Sequence, residues 1–556
     1  MTRPTVLVAS TVILSAFNTF ASPFGPPSPN QPSLKTLPCE RDSFARILPP
    51  GASLEELAVV PEGGSYGEGA ANPTYPTDPT NLPALCAVTV RVRSSRTSSY
   101  RFGLFLPNEW NSRFFVAGNG GFAGGISWPD MASGARHGMA SLSTDTGHNS
   151  TGLETAWAVN QPEKKTDWGW RAIHESTAIG KKLVQTYYGG MAIRYSYFSG
   201  CSNGGRQGLK EIQNFPDSFD GVLVGAPAWP MPRLAGYMTR VGMLNLPATD
   251  PKHITTDDLS VLAAEVVRQC DGADGVLDGI VSSPELCVPD LTALLCNNAT
   301  TNQTNCLNAF QLTTAQALYD DYRSSTGSFL FPGYPPGSEE EWSTVLPTPP
   351  DPSLLGVGYL GHLLLDDPAW DWRTYNESLI EQAERVDPGN STADDYAAVG
   401  AFARRGGKLL LYHGLSDGLI SAHGSGLYYN RTVEALGGDG MDDFLRMFLV
   451  PGMQHCGDTA VDAPWSFGGG FQAAVLGSGA WSVPGFEDRD HDAVMALMEW
   501  VERGREVDQI IATTWNSPLD PASGVRRQRP ICPWPKKAVY DGVGDVDKAE
   551  SWRCDE

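Results

Sequence analysis

Five residues, Gly200-Cys201-Ser202-Asn203-Gly204, constrain what this 556-residue chain can fold into more than any other stretch. A β-like run, Tyr195 to Ser199, precedes them, and the residues from Gly205 to Ile212 can begin a helix. A strand that turns at once into a helix crowds its own backbone. Glycines two residues before and two after the serine relieve the crowding and leave its hydroxyl lifted clear. The pattern therefore predicts a strand, a sharp elbow carrying Ser202, and a helix. The pentapeptide alone is a weak signal in a chain with 60 glycines, where a Gly-rich turn with a passive serine is the plain alternative. The strand-like and helix-like flanks give it weight.

A serine hydroxyl is a poor nucleophile unless a base, normally histidine, takes its proton and a third group orients that base. Around such an elbow the partners follow in the order serine, acid, histidine, each in a loop after a strand. Asp417 follows the apolar run Lys408 to Tyr412, and His455 follows Phe444 to Val450. Rivals stay open at this level. His413 and His423 flank Asp417 and could be structural or contact a ligand, and His148 could be a loop hydrogen-bonder. Asp458 lies too close to His455 in sequence to be its preferred orienter. An oxyanion would be met by the amide after the serine, that of Asn203, and by one from a Gly-rich loop after an early strand. The run Val116 to Phe122 offers Gly120 or Gly121 for the second.

The rest of the chain is organised around this centre. Short apolar runs at Cys86 to Val92, Arg101 to Leu106, Arg113 to Ala117 and Val222 to Val224 predict strands. Ala172 to Tyr187 and Asp492 to Glu502 carry helical patterns. From about residue 227 to 400 the β-α rhythm stops, and four of the ten cysteines and a Pro-rich tract at 332–352 appear. The expected class is α/β: an α/β-hydrolase fold built from residues 22–226 and 401–556, with 227–400 as a large inserted lid domain.

At the start of the chain, Arg3, the apolar run Thr5 to Phe17 and small Ala21 read as a signal peptide over residues 1–21. That run is too short to span a bilayer comfortably. A secreted, extracellular protein is the expectation, with no membrane partner. An even count of ten cysteines fits disulfides in an oxidising compartment. Six sequons, Asn149, Asn298, Asn302, Asn376, Asn390 and Asn430, fit glycosylation there. A net charge of −23 argues against nucleic acid, which needs clustered cations. Between Cys270 and Ile280, Asp271, Asp274 and Asp278 crowd one Gly-rich loop. Carboxylates so close call for a cation, and Ca²⁺ suits oxygen ligands. The loop is not an EF-hand, since the twelfth position from Asp271 is Ser282.

The stretch Gly200 to Gly208, together with Asp417 and His455-Cys456, resembles the fungal tannase/feruloyl esterase family, which shows a Cys-Ser, Asp, His-Cys pattern. The likeness extends to Gly118 to Phe122 and Ser143 to His148. Asn203 stands where threonine is more usual, which matters little because the backbone amide does the work. The resemblance implies a triad of Ser202, Asp417 and His455 under a lid. It implies a structural Ca²⁺ held by Asp271, Asp274 and Asp278 with the carbonyls of Val276 and Ile280, and no organic cofactor. It implies hydrolysis of phenolic-acid esters, small or on feruloylated plant cell-wall polysaccharide, with release of hydroxycinnamic acids. A tannase acting on galloyl esters is the alternative. A hydrolase-fold binding protein without catalysis is the alternative of another class, but such proteins commonly lose the nucleophile or its base. Local spacing suggests the disulfides Cys270–Cys287, Cys296–Cys306, Cys532–Cys554 and Cys39–Cys86. Cys201 and Cys456 remain, each adjoining a candidate catalytic residue, and the resemblance implies the same bond.

Overall fold

The computed structural model describes residues 36–296, 305–346, 352–477 and 482–556. The expected signal peptide and the sequons Asn298 and Asn302 lie outside the described residues. The apolar runs become the strands of one nine-stranded sheet. These are β1 (Ala52–Val60), β2 (Leu85–Val92), β3 (Tyr100–Pro107), β4 (Arg113–Ala117), β5 (Ala140–Thr144), β6 (Tyr195–Cys201) and β7 (Gly221–Gly225). After an insertion carrying the small hairpin β8 (Tyr322–Arg323) and β9 (Phe329–Phe331), the sheet resumes with β10 (Lys408–Gly414) and β11 (Leu445–Val450). The spatial order is β1-β2-β3-β5-β4-β6-β7-β10-β11. Pairing is antiparallel from β1 to β5 and parallel from β5 to β11.

Parallel strands are covered on both faces, so their side chains read as continuous apolar runs. Val222, Val224, Leu409, Leu411 and Leu445 are accordingly fully buried. Among the covering helices, Asn203–Asn214 packs on β6 and β7, and Ala493–Arg503 on β7 and β10. This is the α/β-hydrolase architecture. In such sheets reacting groups gather beyond the carboxyl ends of the strands. The loops after β4, β6, β10 and β11 all leave from that edge.

β7 and β10 are hydrogen-bonded neighbours, with Leu223 opposite Leu410, yet residues 226–407 separate them in the chain. The intervening segment builds its own helices. Thr255 and Asp258 close a capping box on helix Thr256–Cys270, and Asn308 and Gln311 close another on Ala309–Tyr319. Its core is aromatic: Tyr237 packs on Phe331 with ring centres 5.0 Å apart, and Tyr319 on Trp342 at 5.0 Å. The same buried cluster takes in Phe122, Trp168 and Ile420 from outside the insertion, so the apolar interior runs continuously across the strand ends.

At the C-terminus, hairpins β12 (Ile510–Ser517) with β13 (Asp520–Ile531) and β14 (Lys537–Tyr540) with β15 (Trp552–Asp555) follow. All ten cysteines pair, as Cys39–Cys86, Cys201–Cys456, Cys270–Cys287, Cys296–Cys306 and Cys532–Cys554. These are the pairs expected from spacing and resemblance. Asn149, Asn376, Asn390 and Asn430 are all exposed. Among the described residues no helix is long and apolar enough to cross a membrane.

Candidate active site

Ser202 sits between β6 and helix Asn203–Asn214 with φ 62° and ψ −122°. A non-glycine residue held there stores on the order of 1–3 kcal/mol of strain, which persists only where surroundings enforce it. The Ser202 amide donates to the Gly225 carbonyl (2.9 Å), and the Ser202 carbonyl accepts from Arg206 (3.0 Å) and Ala228 (3.1 Å). A Cβ on Gly200 would stand 2.7 Å from the Gly204 carbonyl carbon, so the elbow requires a glycine there.

The first turn of the elbow helix is tied down by a fully buried guanidinium. Arg206 donates to Asn203 Oδ1 (2.7 Å), to the Gly169 carbonyl (2.7 Å) and to the Ser391 carbonyl in the insertion (2.8 Å). It also lies over the Trp168 ring, 4.6 Å from its centre. Burial pulls its pKa down to about 10.

Asp417 and His455 meet. His455 Nδ1 lies 2.7 Å from Asp417 Oδ2, which leaves Nε2 as the free ring nitrogen for a serine. Asp417 is buried, and its Oδ1 accepts the amides of Leu419 (2.9 Å) and Ile420 (2.7 Å). Burial pushes the Asp417 carboxyl up, but the charges and hydrogen bonds of His455 and His413 outweigh it and hold it far below the usual range. Burial likewise pulls His455 down, but Asp417, with help from Glu341, holds it above its ordinary value.

The rival histidines have other partners. His413 Nε2 shares Asp417 Oδ2 (2.9 Å) and the Ile420 carbonyl (2.9 Å), while Nδ1 meets Ser425 Oγ (2.7 Å). It braces the acid. His423 Nδ1 contacts the Gly333 carbonyl (3.0 Å). His148 contacts the Phe122 carbonyl (2.9 Å) and stacks on Trp157, and burial lowers its pKa to about 4.

Sequence reasoning missed Glu341. It belongs to the insertion, in the short helix Glu339–Thr344. Its Oε2 accepts the amide of Gly418 (2.8 Å) and that of His455 (2.9 Å), pinning the acid loop to the histidine loop. In the sequence it ends a run of three glutamates, which reads as a solvated turn.

Ser202, Asn203, Gly120, Gly121 and His455 all line one cavity of about 270 Å³. Its remaining wall is largely apolar, with Phe122 and Trp168 on one part and Met231, Leu234 and Met238 from the insertion on another. The Gly120 amide makes a long bond of 3.3 Å to Tyr75 Oη, and Gly121 has φ 52°. Cys201–Cys456 holds the flanks of Ser202 and His455 together, with Cα atoms 5.8 Å apart.

The acidic loop lies away from this cavity. Asp271 Oδ1 accepts the amides of Asp278 (3.1 Å) and Gly279 (3.0 Å), and Asp274 Oδ1 that of Val276 (3.0 Å). Asp278 Oδ2 pairs with Arg529 at 2.6 Å. Asp274 Oδ2 is buried beside the Ser282 hydroxyl but makes no well-formed hydrogen bond, and burial raises that carboxyl. Such an orphaned oxygen fits a hard cation. Among the described residues, no three His, Cys, Asp or Glu side chains are gathered as a metal cluster.

The model of the tannase and feruloyl esterase family matches residues 86–362 and 365–555. A probable feruloyl esterase B-2 of Neosartorya fischeri is 32% identical over 88% of this chain and 91% of its own length. A probable feruloyl esterase B-1 of Aspergillus flavus is 31% identical over the same shares of the two chains. Among solved structures, feruloyl esterase B from Aspergillus oryzae superposes with a TM-score of 0.84 at 29% identity, covering 93% of this chain and 99% of its own. A tannin acyl hydrolase from Aspergillus niger shares the fold, with a TM-score of 0.71 at 20% identity over 93% of this chain and 95% of its own. The matches run from the second strand of the sheet through the insertion to the last hairpin, and the chain belongs to the tannase and feruloyl esterase family.

Proposed function

We propose that this chain is a serine esterase of phenolic acids, most active on hydroxycinnamoyl esters such as ferulates. The observation that carries the reading is the Asp417–His455 pair at 2.7 Å, on the same aromatic-lined cavity as a serine held in a strained elbow. Neutral His455 takes the Ser202 proton as the hydroxyl attacks the ester carbonyl. Asp417 fixes the tautomer and stabilises the imidazolium that forms. The Asn203 amide and that of Gly120 or Gly121 receive the developing oxyanion, each such donor lowering the barrier by about 3 kcal/mol. His455 then protonates the leaving alkoxide, and water hydrolyses the acyl-enzyme by the reverse roles. The insertion acts as a lid that supplies the apolar wall for the aromatic acyl group.

The names of the relatives support a feruloyl rather than a galloyl ester, and we extend this to feruloylated plant cell-wall polysaccharide as the natural source. Parallel assays of methyl ferulate, caffeate, sinapate and gallate test it. The hydroxycinnamates should give the higher kcat/KM. A clear preference for gallate would make the enzyme a tannase.

We also propose that the protein is secreted after removal of residues 1–21, and that Ca²⁺ binds Asp271, Asp274 and Asp278 with the Val276 and Ile280 carbonyls. Ten paired cysteines and four exposed sequons support the first. The unpartnered Asp274 oxygen supports the second. The ion would be structural. Binding only the native state, it would stabilise it by about 2.7 kcal/mol at a free concentration 100 times Kd. Protein recovered from culture medium should begin near residue 22 and carry about one calcium per chain by elemental analysis. Chelation, or Asp274→Ala, should lower Tm by several degrees with little change in kcat. Metal-free protein with an unchanged Tm after chelation would refute the site.

A further inference from the structure

Among the described residues, one acid lines the catalytic cavity: Asp130. It is the third residue of helix Trp128–Arg136, whose N-cap is Ser127. That spacing is a capping-box pattern, in which the acid would bond back to the N-cap amide. Here the box is not made. The Ser127 amide donates to Ser143 Oγ (3.2 Å), and the Ser127 side chain makes no cap bond to the helix backbone. Ser127 Oγ instead donates to Asp130 Oδ2 at 3.0 Å.

Asp130 is half-buried and lines the cavity. Burial pushes its pKa up to about 6, opposed only by the Ser127 hydroxyl and the Phe471 amide. No cation is among the groups that act on it. Tyr75 stands beside it on the same wall; burial and then the Asp130 charge hold that phenol above its usual range. A carboxylate offers about four acceptor positions. An enclosed anion with two donors and no counter-ion is costly unless another molecule completes it.

Resting on the reading of the chain as a phenolic-acid esterase, we infer that Asp130, with Tyr75 beside it, receives the free phenolic hydroxyl of the acyl group and so determines specificity. A phenol O–H donates to the carboxylate. A ring whose hydroxyls are all O-methylated has no proton to give, and it would set an ether oxygen against a desolvated anion. Sites built to hydrogen-bond a substrate hydroxyl reject analogues that lack it strongly, because the polar group is left unpaired.

The test compares methyl ferulate with methyl 3,4-dimethoxycinnamate, which differ by one O-methyl group, with p-nitrophenyl acetate as a third substrate. Wild-type kcat/KM should favour the ferulate by about 100-fold or more. In Asp130→Ala that ratio should fall at least 10-fold. A folded Asp130→Ala with an unchanged ratio overturns the inference. If the variant does not fold, the wild type decides through product inhibition. Ferulic acid inhibiting at least 10-fold more tightly than 3,4-dimethoxycinnamic acid supports the inference, and equal inhibition overturns it. Hydrolysis of p-nitrophenyl acetate with neither cinnamate ester touched overturns the phenolic-ester reading, and this inference with it. Turnover of ferulate with no discrimination overturns the Asp130 assignment alone.

Discussion

Replacing Ser202 with alanine is expected to lower kcat on any ester by about 10⁴-fold or more while leaving the unfolding transition nearly unchanged. The oxygen removed is the proposed nucleophile, and no other hydroxyl can take its place on the elbow. The fold does not depend on it, because the turn is held by backbone bonds of Ser202 to Gly225, Arg206 and Ala228. His455→Ala should show a loss of similar size, since members of a triad act as a unit. The two losses should not multiply in the double variant. Near-normal turnover by either single variant would end the assignment of these residues.

The second large effect is expected from the bond between Cys201 and Cys456, which joins positions 255 residues apart. Constraining so long a loop in the unfolded chain stabilises the native state by about 5 kcal/mol on the chain-entropy model. Removing it in Cys201→Ala/Cys456→Ala should therefore lower Tm markedly. Its second effect concerns geometry. Each half-cystine directly adjoins a residue of the proposed triad, so the bond limits how far His455 can drift from Ser202. An error of about 1 Å there costs on the order of 100-fold in rate. The double variant should thus lose activity even at temperatures where circular dichroism shows it folded. A folded double variant with full kcat would assign the bond to stability alone.

How much of this was legible beforehand follows from which residues speak locally. β4, β6, β7, β10 and β11 are short apolar runs, and the elbow declares itself through two glycines and a serine. The order of Asp417 and His455 follows from topology once the elbow is placed. β1 and β5 were not legible. Ala52–Val60 mixes two glutamates into its apolar residues and pairs at the sheet edge, while Ala140–Thr144 is small and hydroxylated yet buried at every position. Their strand character comes from the neighbours they pair with. The bracing of Asp417 by His413, and of both loops by Glu341, could not be read at all. The first turns on how the loop after β10 folds back on its own strand, and the second on where the insertion lands; no local pattern encodes either. Asp130 illustrates the opposite hazard, a local motif whose usual use the fold sets aside.

Glu341 has a consequence for anyone recombining members of this family. The segment between β7 and β10 looks like a cassette that could be exchanged to alter substrate range. Yet it contributes the carboxylate that receives the amides of Gly418 and His455, and the Ser391 carbonyl that receives Arg206 from the elbow helix. A graft that kept the whole α/β body but brought in a foreign cassette would loosen, at once, the segments that carry all three residues of the proposed triad. Functional hybrids should be those whose donor cassette offers an acid and a carbonyl at the same two places, whatever the rest of it is made of.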